Sequence, residues 1–140
     1  MPLCATIFLM RLASATRLFA CNALWRATGL QATGRALVRA LGEKDYDLRT
    51  IAGTFLAQAG EKAVPLLQEA IDRRENLPMV LTILGDIGDP RFEPELVEFS
   101  RDRDPKVAQA ASDALRVLHE HQRQGSSHQG PNADERAASQ

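Results

Sequence analysis

The feature that most constrains this chain is a recurrence at about 30 residues. Gly29, Gly60 and Gly88 stand 31 and 28 residues apart, and Leu37, Leu67 and Leu96 stand 30 and 29 apart. Leu56 and Leu115 are separated by 59, two such periods. A period of that size describes a supersecondary unit that hides its apolar face only by stacking on its neighbours. Each period has helical contents. Leu48, Ile51, Ala52, Phe55, Leu56 and Ala59 fall at i, i+3, i+4, i+7, i+8 and i+11, one apolar stripe on a helix. Asp47 is placed to cap its start and Gly60 to close its end. A second helix follows, with Pro65 in its first turn and Ala63, Leu67, Ala70 and Ile71 inward.

The unit then repeats. Asn76 is placed as a cap, Pro78 in the first turn, and Gly88 as the stop of a stripe formed by Leu77, Val80, Leu81, Leu84 and Ile87. Pro94 opens the next helix, with Leu96, Val97 and Ser100 following. Asp104-Pro105 starts a last helix whose stripe is Val107, Ala111, Leu115 and Leu118. Running the phase backwards sets Cys21 under Ala52 and Trp25 under Leu56, so residues 17–42 read as a degenerate earlier unit. The expected fold is all-α: a short α-solenoid of antiparallel helical hairpins over residues 17–118. Residues 1–16 are expected to be an N-terminal helix, or a targeting or mis-annotated extension. Residues 119–140 hold Gly125, Gly130 and Pro131 and no aromatic. They cannot bury enough apolar area to offset their ordering entropy, and a disordered tail is expected there.

Composition narrows the classes of partner. A chain of 140 residues is one domain's worth, and 44% hydrophobic with 25% charged residues excludes a fully disordered chain. Aromatics at 5% disfavour strand-rich and base-stacking architectures. The net charge of -1 advertises neither a nucleic acid nor a membrane, but it conceals an asymmetry. Residues 1–42 hold Arg11, Arg17, Arg26, Arg35 and Arg39 and no acid, a block of +5; the rest of the chain is a block of -6. That start somewhat resembles a mitochondrial presequence, Ala13-Ser14-Ala15 a signal peptidase site, and Leu18-Phe19-Ala20-Cys21 a lipobox. Each is flawed, because no basic residue precedes the short apolar run Leu3 to Met10, and Arg11 and Arg17 interrupt the region where a signal core should be. A cytoplasmic location is the expectation, with mitochondrial or exported as the alternative if residues 1–21 are a targeting segment. Cys4 and Cys21 lie among apolar residues without a Cys-x-x-Cys pair, and read as buried reduced thiols. Lys44, Lys62 and Lys106 are the only lysines, and Ala is abundant, a bias that points to a GC-rich, bacterial genome.

The residues also resemble a known family. Ile51-Ala52 through Leu56, then Ala59-Gly60-Glu61-Lys62-Ala63-Val64-Pro65-Leu66-Leu67, is similar to a HEAT-like repeat of the type named after phycobilisome lyases. So are Leu84-Gly85-Asp86-Ile87-Gly88-Asp89 and Asp102-Arg103-Asp104-Pro105-Lys106-Val107, with Ala110-Ala111 and Leu115. The resemblance covers residues 45–118 and, more weakly, 17–44. It departs at Val107-Ala108, where a Val-Arg would be the hallmark, and at Pro78. It implies a stacked-hairpin fold. Family members include protein-interaction scaffolds and bilin lyase subunits, and more distantly DNA-lesion glycosylases and a di-iron hydroxylase.

Few residues point to chemistry. His119-Glu120-His121 reads as a solvated helix end near the negative end of the dipole, not as a metal site. Gly85-Asp86-Ile87-Gly88-Asp89 lacks the Lys-Ser/Thr of a phosphate loop and reads as a turn. Trp25, Phe19 and Phe55 read as core. The expectation is therefore no catalytic residue, no cofactor and no metal. More informative are two columns on the second helices: Arg39, Glu69 and Glu98 in one, Val38, Gln68 and Val97 beside it. Second helices line the concave face of such arrays, where partners bind. Arg39, Gln68, Glu69, Val97 and Glu98 are the candidate partner-binding residues; the rival reading of the first column is an intramolecular ladder in which Arg39 pairs with Glu69. The expected function is a non-catalytic scaffold or adaptor for a protein partner. The alternatives are a subunit of a lyase or maturation enzyme acting with a partner chain, and nucleic-acid binding through the N-terminal arginines.

Overall fold

The computed structural model describes the backbone of residues 2–127 and the side chains of residues 13–127. These residues form α1 (Pro2–Thr28), α2 (Gln31–Ala40), α3 (Tyr46–Ala59), α4 (Val64–Asp72), α5 (Leu77–Ile87), α6 (Glu93–Phe99) and α7 (Pro105–Ser127). Short 3-10 turns at Gly60–Lys62 and Pro90–Phe92 lead into α4 and α6. Among the described residues there is no strand, as the all-α expectation required. No helix of the described residues is long and apolar enough to cross a membrane.

The recurring glycines have one physical cause. Gly29, Gly60 and Gly88 carry φ of +68°, +56° and +74° and stop α1, α3 and α5. A side chain resists that left-handed backbone, so glycine recurs wherever a first helix must turn into a second. The prolines mark the opposite ends: Pro65, Pro78 and Pro94 sit in the first turns of α4, α5 and α6, where their missing N–H is not needed.

The caps differ from the sequence expectation in two places. Asp45, not Asp47, precedes α3, and its Oδ1 accepts the backbone N–H of Asp47 at 2.9 Å. Asn76 precedes α5 but makes no side-chain cap; its φ of +50° places it in the left-handed turn that Arg74 (φ +53°) begins. Asparagine tolerates that conformation, so here it serves the turn and not the cap that its side-chain acceptor suggests in sequence.

Packing follows chain order. α1 packs on α2 and α3, α2 on α3 and α4, α3 and α4 on α5, and α7 on α5 and α6. The α5–α7 contact is the most extensive. Leu37, Leu67 and Leu96, one period apart, are all fully buried, and so are Leu56, Leu81 and Leu118. Burying each such leucine contributes about 2 kcal/mol.

Two boundaries and two burials depart from expectation. The segment 1–16 is not separate from the first unit, because α1 runs unbroken from Pro2 to Thr28. The last helix does not end at Leu118 but continues to Ser127, with the side chains of His119 and His121 laid back on earlier elements; the rest of the expected tail lies outside the described residues. In α7, Ala114 is buried where Leu115 was expected, and Leu115 packs only at the edge of the core. Phe19 is the last correction: Trp25 is core at 3% exposure, but Phe19 is 56% exposed and meets Phe55 edge-on at 4.9 Å.

Candidate functional site

The second helices α2, α4 and α6 carry the five residues singled out by phase. Arg39 lies on α2, exposed. Glu69 lies on α4, but its partners are Arg35 of α2, at 3.1 Å, and Arg73 one turn along its own helix, at 2.7 Å. The ladder of the rival reading thus forms through Arg35, one turn before Arg39, and not through Arg39 itself. Gln68, beside it, donates from Nε2 to Oε1 of Glu95 on α6 at 3.1 Å. Val97 and Glu98 of α6 are exposed, and among the described residues no ion pair engages Glu98.

The second column is uneven. Val38 is buried at 6% exposure, Gln68 is half-buried, and Val97 is 38% exposed. Phase alone treats the three as equivalent; neighbours do not. α2 is flanked by α1, α3 and α4, whereas α6 packs substantially only on α7. The exposed part of the surface is thus concentrated on α6 and the turn after it. Pro94, Val97, Glu98, Phe99, Arg101, Asp102 and Arg103 form a shallow depression there with Arg74.

The polar links between helices share a spacing. Arg35–Glu69, Glu61–Arg91, Arg74–Asp102, Gln68–Glu95 and Glu93–His119 join residues 34, 30, 28, 27 and 26 apart. Each ties one period to the next. Asp102 of these links, and Asp89 beside Arg91, are shifted by their neighbours. The Arg91 side chain hydrogen-bonds Asp89 and holds it below the ordinary 3.8, with the Arg91 backbone N–H adding to it. Asp102 is lowered first by the backbone N–H of Asp104 and then by Arg74. Asp86 moves the other way, raised by burial, with His121 opposing.

His119 and His121 diverge. His119 Nε2 lies 3.1 Å from Glu93 Oε1, and the His121 ring packs over Gly88. Among the described residues no group of His, Cys, Asp and Glu is placed to hold a metal ion.

Sequence reasoning missed a second concavity. Ser14, Arg17, Leu18 and Cys21 of α1, Ala36, Arg39 and Ala40 of α2, Glu43, and Leu48 of α3 surround a cleft of about 430 Å³. Cys21 is half-buried in its wall and not fully enclosed as expected; the Cys4 side chain lies outside the described residues. The signal present in the sequence was the acid-free run before Glu43, which leaves its arginines without local partners.

In comparisons with known proteins, no family model, no curated protein and no solved structure matches this chain.

Proposed function

We propose that this chain is a short α-solenoid of HEAT-like hairpins that acts as a non-catalytic scaffold and recognises another protein through its second helices. The single observation that supports this reading is the common spacing of the inter-helix links, 26 to 34 residues, which is the spacing at which stacked hairpins touch. Stacking of that kind yields a preformed surface of fixed curvature, and a partner meets it without an ordering penalty. On that surface Val97 and Glu98 of α6, with Arg39 of α2, are exposed and open to new contacts. Glu69 and Gln68 are already engaged and serve to hold α2, α4 and α6 together.

The test is affinity capture from lysate with the tagged chain, followed by mass spectrometry. Val97→Asp with Glu98→Lys should remove the specific partner, mainly by slowing association for the charge and by losing contact area for the valine. Gln58→Lys with Asp113→Lys, on α3 and α7, should retain it. If the α6 variant retains the partner and the control loses it, the second-helix assignment is wrong. Capture that disappears on nuclease treatment and falls steeply with salt would support the nucleic-acid reading instead.

A further inference from the structure

The cleft between α1, α2 and the start of α3 is separate from the α6 surface. We propose that it is a binding site for a small monocarboxylate with an apolar body. Its size, about 430 Å³, lies within the roughly 300–1,000 Å³ range of ligand pockets. Its chemistry is of two kinds. Leu18, Ala36, Ala40 and Leu48 supply an apolar wall, and Leu18 and Ala40 are themselves part of the core at 5% and 6% exposure. Arg17 and Arg39 approach from two different helices.

Neither arginine has an ion-pair partner among the described residues. The contrast with their neighbours is informative. Arg35 of α2 and Arg73 at the end of α4 share the Glu69 carboxylate as their anion. Arg17 and Arg39 instead line an open volume, Arg39 standing between it and the depression that holds Glu69. No acid precedes Glu43 in the sequence, so local chain cannot supply the missing charge. Glu43 lines the cleft without pairing either guanidinium. Two cations and one carboxylate leave a single positive charge, which matches a monoanion better than a phosphate dianion. A guanidinium fork grips a carboxylate through two parallel N–H bonds, and the apolar wall takes the rest of the molecule.

Cys21 in the wall provides a reporter. In a Cys4→Ser background it is the only thiol of the chain. Its alkylation by iodoacetamide forms an S–C bond and releases iodide, at a rate that depends on access to the cleft. Octanoate is the probe. Rising octanoate, kept below its micellar range, should slow alkylation to a saturating limit, whereas octylammonium and inorganic phosphate should not. Isothermal titration of octanoate into the unmodified chain gives an independent affinity. Arg17→Gln and Arg39→Gln should each weaken that affinity about tenfold, the expected loss of a charge-assisted hydrogen bond. Arg26→Gln, on α1 outside the cleft, should not. Absence of protection and of binding heat overturns the proposal, as does equal binding by the Arg17→Gln, Arg39→Gln double variant. Protection by phosphate equal to that by octanoate overturns the assignment to a monocarboxylate.

Discussion

Gly85→Ala tests the packing of the C-terminal half directly. Gly85 lies mid-helix in α5 with an ordinary helical backbone, so nothing about its own conformation demands glycine. Judged by helix propensity alone, alanine would stabilise the chain by about 0.5–1 kcal/mol. The neighbouring helix reverses the sign. A Cβ at Gly85 would lie 2.7 Å from the Cα of Ala114, 2.8 Å from its carbonyl oxygen and 2.9 Å from its Cβ. Carbon atoms rest at about 3.5–4.0 Å, so α5 and α7 would have to part by roughly 1 Å. A gap of that width forfeits a quarter to a half of each dispersion contact along the seam. The net loss should be about 1–3 kcal/mol, the usual range for overpacking, against a total stability of about 5–15 kcal/mol. Because two of the three clashing atoms are backbone, Ala114→Gly should not rescue the variant. Gly53→Ala is the matched control: it is also buried and helical, but its Cβ would meet nothing nearer than 3.8 Å. That change should stabilise by about 0.5–1 kcal/mol. Urea unfolding followed by far-UV circular dichroism measures both. A Gly85→Ala protein as stable as the parent, or two variants shifted equally in the same direction, would refute the close approach of α5 and α7.

Leu84→Ala should destabilise by about 2–5 kcal/mol in the same assay, since Leu84 is 1% exposed and leaves a cavity; a loss under about 1 kcal/mol would mean that the site collapses or is not core. Asp89→Asn with Asp102→Asn should lower the urea midpoint at neutral pH but not in strong acid. Both carboxylates titrate below 3.8 in the folded chain, so the stability they add is present above the unfolded value and is lost as the pH falls through the folded ones. The difference between variant and parent should therefore close below pH 3.8, and a constant difference at all pH values would refute the charge contribution. Asp86→Asn should act in the opposite sense, raising stability slightly at neutral pH, because partial desolvation holds the Asp86 carboxyl above its ordinary value although the residue stays exposed; a loss would show that the carboxylate makes a needed contact.

Helix identity and the glycine stops at Gly60 and Gly88 were legible because they rest on local rules, whereas the end of α7 and the caps of α3 and α5 were not. The 3.6-residue stripes placed Leu56, Leu67, Leu84 and Leu96 in the core, and the left-handed glycines placed the turns. What phase could not supply is rotation and neighbourhood. Arg35 and Arg39 differ by one helical turn, and only the tilt of α2 against α4 decides which of them reaches Glu69. Val38 and Val97 share a phase but not a burial, because α2 has three neighbours and α6 one that is substantial. The cleft was invisible for the same reason: Arg17 and Arg39 meet through the angle between α1 and α2, which no spacing along the chain encodes.

All the substantial contacts join helices one or two places apart in the chain, and this has a kinetic meaning. Closing such contacts requires only short loops, so the search for the native arrangement is local and folding belongs with the fast helical class, microseconds to milliseconds. The same locality divides the opposing process. An opening of α1 breaks its contacts with α2 and α3 and leaves the α5–α7 seam untouched. Amide protons of α5 and α7 should thus be the last to exchange with solvent, and those of α1 should exchange through events that never involve the whole molecule. A ligand held between α1 and α2 would therefore slow exchange in the helices it touches first, and damage at one end of the chain would be felt only weakly at the other.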